Sequence, residues 1–116
     1  MIHGIGVDII ELSRIERAMK RNARFVERIL TTKERAALQN MSDSRKIEHV
    51  AGRFAAKEAF VKASGIKEAS WMDVEILNDS TGKPIMTGPI EETIHVSISH
   101  SQAYAVAQVI IEAKSF

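Results

Sequence analysis

Residues 47–65, with the sequence IEHVAGRFAAKEAFVKASG, contain the most strongly periodic pattern in the chain. Apolar side chains recur there three or four residues apart, which places them on one face of an α-helix. Glycine readily adopts the left-handed conformation that ends helices, so Gly65 is the predicted C-cap. The pattern predicts one long helix from near Arg45 to Ser64, with an apolar face formed by Ile47, Val50, Ala51, Phe54, Ala55 and Val61.

The segments before this helix predict one strand and three short helices. Residues 2–10 are dense in β-branched side chains and interleaved with glycines, which is typical of a buried strand. Ser13 with Glu16, and Thr31 with Glu34, have the spacing of capping boxes, in which each side chain satisfies a free amide of the first turn. The predicted helices run from Ser13 to about Arg21, over residues 23–29, and from Thr31 toward Gln39.

Beyond Gly65 the apolar residues alternate, as they do in strands with one buried face. Turn-forming residues at Asn78, Asp79 and Gly82 interrupt the alternation. The predicted strands are residues 72–76, a short piece around Ile85, residues 94–98 and residues 104–111. The order of strand, helices, long central helix and mainly antiparallel sheet indicates an α+β fold, and we expect one domain over residues 1–116.

The charges of the chain nearly balance, with 16 Lys and Arg against 15 Asp and Glu and a formal net charge of +1. This balance excludes a uniformly basic coat for nucleic acid and an acidic solvating tail. The absence of cysteine excludes disulfides, thiolate zinc sites and cysteine nucleophiles. Neither a targeting segment nor a membrane-length apolar run occurs, so we expect a cytoplasmic protein that binds neither membranes nor nucleic acid.

Two carboxylates fall at positions where the pattern predicts burial. Glu58 returns to the apolar face of the long helix, and Asp8 lies between Val7 and Ile9 in the first strand. A buried carboxylate needs a proton, a basic partner or a metal ion. Two inward acids without cysteine suit Mg²⁺, which is commonly held by one or two carboxylates plus substrate phosphates. The alternative is structural: Glu58 pairs with Lys62 one helical turn on, and Asp8 caps a turn.

Basic residues surround Glu58 on the same helix and provide enough charge to bind a polyanion such as a diphosphate. His100, at the end of a predicted strand, is suited to a phosphate contact or to proton transfer. The alternative is an ordinary solvated helix face and an exposed turn histidine. The basic residues in question are Arg45, Lys46, Arg53, Lys57 and Lys62.

A second basic pattern precedes the long helix. Five arginines follow spacings of three, four, three and four, so they form one stripe if the segment stays helical through Asn22. Such a stripe fits an acidic protein surface, and its alternative is a solvated face. A rival from another class is a non-catalytic module that binds an acidic protein or RNA through this stripe. The arginines are Arg14, Arg17, Arg21, Arg24 and Arg28.

Taken together, four short motifs resemble the bacterial holo-[acyl-carrier-protein] synthases, which are small 4'-phosphopantetheinyl transferases. The motifs are GIGVDI at residues 4–9, ERILT at 27–31, AGRFAAKEAF at 51–60 with Lys62, and VSISH at 96–100. The resemblance covers essentially the whole length and implies the 4'-phosphopantetheinyl transferase fold. It also implies Mg²⁺-dependent transfer of phosphopantetheine from coenzyme A to a serine of apo acyl carrier protein, with release of 3',5'-ADP, in fatty acid biosynthesis.

The resemblance further implies a homotrimer with active sites at the subunit interfaces, which would suit a chain this short. The base that takes the serine proton stays open between Glu58 and water. The implied roles are Asp8 and Glu58 as metal ligands and, with Lys62, as catalytic residues; Arg45, Arg53, Lys62, Pro84 and His100 as contacts of coenzyme A; and Arg14, Arg21 and Arg24 as contacts of the carrier. Pro84 belongs to a glycine-containing turn of a kind that can line a pocket.

One segment departs from the family. After the long helix the family has a loop with the sequence Gly-Thr-Gly, whereas residues 64–68 read SGIKE and keep one glycine. The loop lies near the coenzyme in the family, so we expect weaker binding of coenzyme A or a reshaped pocket.

Overall fold

The computed structural model describes residues 1–114, which form five strands and four α-helices. No helix in this part of the chain is both long and apolar enough to cross a membrane. In chain order the elements are β1 (Ile2–Glu11), α1 (Leu12–Arg21), α2 (Phe25–Ile29), α3 (Thr32–Ala36), α4 (Asp43–Ser64), a 3₁₀ turn (Trp71–Asp73), β2 (Glu75–Asn78), β3 (Pro84–Thr87), β4 (Thr93–His100) and β5 (Tyr104–Glu112).

The strands form two antiparallel sheets. In the larger sheet β5 lies between β1 and β4, and its Val109 pairs with both Gly6 and Val96. β2 and β3 form a separate two-stranded hairpin. The predicted α+β fold with one long helix is therefore confirmed, although the strands are divided between two sheets.

Small residues let α4 pack closely against β1. Ala55 and Ala59 of α4 are fully buried. A Cβ atom at Gly4 would overlap the carbonyl oxygen of Ala63, and one at Gly6 would overlap that of Ala59. No side chain separates the two backbones here. The Asp8 side chain, which is the next one on this face of β1, is therefore held close to α4.

The prediction that β1 is buried is wrong for one of its faces. Ile5, Val7 and Ile9 are 58%, 53% and 62% exposed in the single chain. Alternate residues of a strand point to opposite faces, and α4 covers only the face that carries the two glycines. The larger sheet thus presents a row of large apolar side chains to solvent.

The predicted capping box of Ser13 and Glu16 is also wrong. α1 already begins at Leu12, and the preceding Glu11 makes no side-chain capping bond within the described residues. β1 runs directly into the helix, and the Leu12 amide donates to the carbonyl oxygen of Ala103 over 2.9 Å. A tertiary hydrogen bond therefore takes the place of the predicted cap.

The remaining helix signals are confirmed. The Thr31 hydroxyl accepts from the Glu34 amide over 3.2 Å, and the Glu34 carboxylate accepts from the Thr31 amide over 2.8 Å. Gly65 ends α4 with a left-handed φ of 74°. α4 begins slightly earlier than predicted, because the Ser42 hydroxyl caps it by accepting from the Arg45 amide over 3.3 Å.

Candidate active site

The first carboxylate of interest, Asp8, follows Gly4 and Gly6 on the face of β1 that packs against α4. Its Oδ1 atom lies 3.2 Å from Nζ of Lys62, which also donates to the carbonyl oxygen of Val7 over 3.0 Å. The Asp8 side chain is 17% exposed and that of Lys62 is 55% exposed. The pair therefore lies at the rim of the sheet and helix, with its ammonium open to solvent.

The second carboxylate, Glu58, is partly buried in α4 and lines a cavity of about 230 Å³. Within residues 1–114 it forms no ion pair or side-chain hydrogen bond, so the pairing of Glu58 with Lys62 that the sequence left open is not observed. The cavity is lined by Lys57, Glu58, Val61, Lys67, Ala69, Ser70, Trp71 and Val74.

Lys62 connects the two carboxylates, Asp8 of β1 and Glu58 of α4. Glu58 and Lys62 are one helical turn apart, and Lys62 reaches Asp8. Among the described residues no group of three or more His, Asp or Glu side chains could hold a metal ion by itself. This donor set fits Mg²⁺ held by two carboxylates, because Mg²⁺ takes its remaining ligands from water and substrate phosphates.

A second cavity, of about 170 Å³, lies beside the N-terminal half of α4. It brings together four of the predicted coenzyme A contacts: Arg45 and Arg53 from α4, Pro84 from the start of β3, and His100 from the end of β4. Lys62 does not line this cavity and lies near Asp8 instead. The complete lining is Arg45, Glu48, His49, Gly52, Arg53, Asn78, Gly82, Pro84, Ile98 and His100.

Arg53 supplies a buried positive charge to this second cavity. Its Nη2 atom donates to Oδ1 of Asn78 over 3.0 Å, whereas its buried Nε atom has no hydrogen-bond partner in residues 1–114. Burial lowers the pKa of the guanidinium, and the negative charge of Glu34 opposes this shift. A buried donor without a partner is costly, so Arg53 is suited to receive an anionic oxygen.

Glu48 connects the other charged groups of the cavity. Its Oε1 atom lies 2.8 Å from Nη1 of Arg45, and its Oε2 atom lies 3.7 Å from Nδ1 of His100. Burial, followed by the charges of Arg53 and Arg45, lowers the pKa of His49 from 6.5 to about 4. His49 is therefore neutral at pH 7, and the arginines carry the positive charge that faces the cavity.

Sequence reasoning missed Glu48, His49 and Asn78 in this cavity. Glu48 had one available signal, because it lies three residues after Arg45 and so within reach on the helix surface. Asn78 was interpreted only as a turn residue, and its contact with Arg53 spans 25 residues of sequence. A contact of that separation leaves no periodic trace in a single sequence.

The prediction that Lys57 is one of the cations available to bind phosphate is wrong. Its side chain is 2% exposed, and Nζ lies 2.7 Å from Oε1 of Glu34. Burial lowers the pKa of Lys57, while the hydrogen bond and charge of Glu34 favour the ammonium form. The ammonium of Lys57 therefore forms its hydrogen bonds inside the protein and not at the surface.

The five arginines do not form a single row, because the helix that would carry them is interrupted after Arg21. α1 ends at Arg21, and Oδ1 of the Asn22 side chain accepts from the Arg24 amide over 2.9 Å. The interruption sets Arg14, Arg17 and Arg21 on α1 and Arg28 on α2, with Arg24 between them. All five are exposed, so together they form a basic surface in two segments.

The loop that departs from the family is closed by a local hydrogen bond. The Ser64 hydroxyl accepts from the Ile66 amide over 3.1 Å just after the C-cap Gly65. Lys67, two residues further on, lines the cavity of Glu58. The loop after α4 therefore places a lysine beside the first cavity.

Known proteins of one family are similar to this chain. Residues 4–109 match the 4'-phosphopantetheinyl transferase superfamily. The holo-[acyl-carrier-protein] synthase of Anoxybacillus flavithermus is 56% identical over 97% of this chain and 97% of its own. The holo-[acyl-carrier-protein] synthase of Exiguobacterium sibiricum is 52% identical over 99% of this chain and 92% of its own.

Solved structures of holo-[acyl-carrier-protein] synthases are also similar to this chain. The holo-(acyl-carrier-protein) synthase of Bacillus anthracis, in complex with CoA (3',5'-ADP), matches with a TM-score of 0.91 and 52% identity over 98% of this chain and 99% of its own. The Helicobacter pylori enzyme in complex with coenzyme A matches with a TM-score of 0.82 and 33% identity over 93% and 99%.

The chain therefore belongs to the 4'-phosphopantetheinyl transferase superfamily. Within that superfamily it groups with the holo-[acyl-carrier-protein] synthases, as the sequence motifs predicted. It is thus an enzyme of the phosphopantetheinyl transferase class, with the fold of that class.

Proposed function

We propose that this enzyme transfers 4'-phosphopantetheine from coenzyme A to a serine of apo acyl carrier protein in fatty acid biosynthesis, releasing 3',5'-ADP and requiring Mg²⁺. Residues 1–116 act as a single transferase domain. The observation that carries the proposal is one cavity that brings together four of the predicted coenzyme A contacts, with Glu58 and Lys62 further along α4 and Asp8 of β1 paired with Lys62. Arg53 and Glu58 are five residues apart, which is about 7.5 Å along a helix axis and about 140° around it, so they lie on different faces of α4, which suits an active site that two subunits complete.

The nucleotide end of coenzyme A binds in the second cavity. Arg45 and Arg53 contact its phosphate oxygens, because guanidinium groups form paired, charge-assisted hydrogen bonds with phosphate. His100 donates a further hydrogen bond, and Pro84 packs at the rim. The buried Nε of Arg53, which lacks a partner among the described residues, supports this assignment.

The reacting diphosphate lies beside Asp8, Glu58 and Lys62. The two carboxylates hold Mg²⁺, and Lys62 contacts the diphosphate with an ammonium that is already at the rim. When bound, Mg²⁺ neutralises charge on the diphosphate under attack and on the leaving 3',5'-ADP. The proton of the attacking serine goes to the Glu58 carboxylate or to a water molecule, the two bases that the sequence leaves open.

The carrier binds the basic surface formed by α1, α2 and the turn between them. Arg14, Arg21 and Arg24 contact an acidic helix of the carrier, and opposite charges at an interface rim speed association and select the partner. The exposure of these three side chains and the small net charge of +1 support the assignment, because the positive charge is concentrated on one surface.

The enzyme acts as a homotrimer with active sites at the subunit interfaces. The exposed apolar row of Ile5, Val7 and Ile9 supports this, because contiguous apolar patches of monomers usually mark an interaction surface. Size-exclusion chromatography with light scattering measures the mass directly. A mass of one chain at micromolar concentration would contradict the trimer.

Release of 3',5'-ADP tests the proposed activity. Purified enzyme, coenzyme A and apo carrier are mixed with Mg²⁺ or with EDTA, and the nucleotide is quantified by chromatography. The proposal predicts release that requires both the carrier and Mg²⁺. Release at the same rate in EDTA would contradict the metal assignment, and release without carrier would indicate hydrolysis instead of transfer.

A further inference from the structure

A buried ion pair, distinct from the groups assigned above, lies under α4. Lys57 Nζ donates to Oε1 of Glu34 over 2.7 Å, to the carbonyl oxygen of Ile29 over 2.7 Å, and to that of Trp71 over 3.0 Å. Glu34 in turn accepts from the amide of Ile76 over 2.8 Å. The two side chains are 2% and 0% exposed, so every proton of the ammonium has an acceptor inside the protein.

A contribution to stability alone does not explain why this ion pair is buried. Removing two charges from water is costly, and apolar replacements of buried ion pairs are often neutral or stabilising. What the pair provides is directional contact with several elements at once. It joins α4 to the end of α2, to the capping box that starts α3, to the 3₁₀ turn and to β2.

The position of the pair relates it to the reaction. Lys57 precedes Glu58 in α4, and both residues line the first cavity. Trp71 lines the same cavity from the 3₁₀ turn, and its ring stacks on Phe54 of α4 with centroids 5.2 Å apart. The bond from Lys57 to the Trp71 carbonyl therefore fixes the separation between α4 and the segment that lies across the cavity from it.

The same ammonium fixes the basic surface relative to the cavity. Ile29, whose carbonyl oxygen it binds, is the last residue of α2 and directly follows Arg28. Phe25, the first residue of α2, stacks on Phe54 with centroids 6.3 Å apart. Lys57 thus connects the proposed carrier-binding helices and the cavity of Glu58 through one atom.

We propose that Lys57 and Glu34 are positioning residues for phosphopantetheine transfer, which hold the Trp71 segment and the end of α2 in the alignment that the Glu58 site requires. The inference rests on the proposed function. It assigns no contact with substrate to either residue. Small displacements of reacting groups have large effects on rate, so loss of the pair lowers turnover more than it lowers nucleotide binding.

The test uses the double variant Lys57→Met/Glu34→Gln, which removes both charges and keeps similar side-chain volumes. We expect kcat to fall by about tenfold or more. Affinity for 3',5'-ADP, measured by calorimetry, should change by less than about twofold, because no residue of the second cavity is altered. Fluorescence of Trp71, the only tryptophan of the chain, should shift to longer wavelength as its segment loosens.

A matched control separates positioning from general destabilisation. Ile111→Val creates a small cavity in β5, where the side chain is buried and lies four residues along the strand from Ala107, the partner of Asp8. Well below its unfolding midpoint this variant should keep the parental kcat despite a lower midpoint. If the double variant does not fold, Glu34→Asp keeps the charge of the pair and shortens only the side chain, and kcat is expected to fall in the same direction; parental kcat in that variant would overturn the inference.

The result that would overturn the inference is a folded charge-removed variant with parental kcat and parental Trp71 emission. An inactive parent enzyme would instead contradict the proposed function. In that case the nucleotide affinity and the emission of Trp71 still decide whether the ion pair holds the cavity wall.

Discussion

Replacing Arg53 with methionine separates binding from stability in the second cavity. Methionine keeps an unbranched apolar stem but removes the guanidinium, which donates to Asn78 and has a buried Nε atom without a partner in the described chain. Hydrogen bonds to charged groups contribute about 1.5–3 kcal/mol. Loss of that contribution weakens the affinity for 3',5'-ADP by about 10- to 150-fold.

Stability should change much less than affinity. A buried donor without a partner costs about 1–3 kcal/mol, and the charge-assisted bond to Asn78 contributes about 1.5–3 kcal/mol. Because Arg53→Met removes both, these terms nearly cancel, and the free energy of unfolding should stay within about 2 kcal/mol of the parent value. Burial also lowers the pKa of Arg53, because removing the charged guanidinium from water is unfavourable.

The assays are calorimetric titration with 3',5'-ADP and urea unfolding of the same preparations. Arg53→Lys is the matched control, because it keeps the charge but loses the forked geometry, and it should bind with intermediate affinity. A parental affinity in Arg53→Met would refute the assignment of this cavity to the nucleotide. A large loss of stability with unchanged affinity would show that the residue is structural.

Three further predictions concern the other groups. Asp8→Asn and Glu58→Gln should each abolish Mg²⁺-dependent turnover with an unchanged circular dichroism spectrum, and full activity in both would remove the metal assignment. Arg14→Glu combined with Arg24→Glu should raise the KM for the carrier and reduce its salt dependence, whereas a change confined to the affinity for coenzyme A would contradict the docking surface. Because the pKa of His49 falls from 6.5 to about 4 on folding, the unfolded state binds more protons between these values, so stability should drop by about 2 kcal/mol as pH falls from 6.5 to 4. Urea unfolding of His49→Gln should show a smaller drop than the parent, and an equal drop would exclude His49 as the cause.

The long helix was predictable because its determinants are local. A 22-residue amphipathic run that ends at a left-handed glycine leaves little choice of structure, and α4 carries most of the site. The capping box at Thr31 and Glu34 was confirmed for the same reason. Of the five coenzyme A contacts that the family resemblance implied, four line one cavity, whereas Lys62 lies beside Asp8.

The errors arise where tertiary contacts override local signals. At Ser13 a capping box was predicted, but the hydrogen bond between Leu12 and Ala103 joins residues from opposite ends of the chain. Lys57 was predicted to be a surface cation, because its partner Glu34 lies 23 residues away. The exposed face of β1 could not be distinguished from a buried one, since apolar density alone does not show which face a helix covers.

Intact-mass spectrometry of the carrier detects the transfer of phosphopantetheine to its serine, which is the activity proposed for this enzyme. The enzyme is incubated with Mg²⁺, coenzyme A and either apo carrier or a carrier whose acceptor serine is replaced by alanine. We predict that the first carrier gains one phosphopantetheine group and that the second keeps its mass. An unmodified carrier across several cognate candidates, with folded enzyme and Mg²⁺ present, would contradict the proposed transfer.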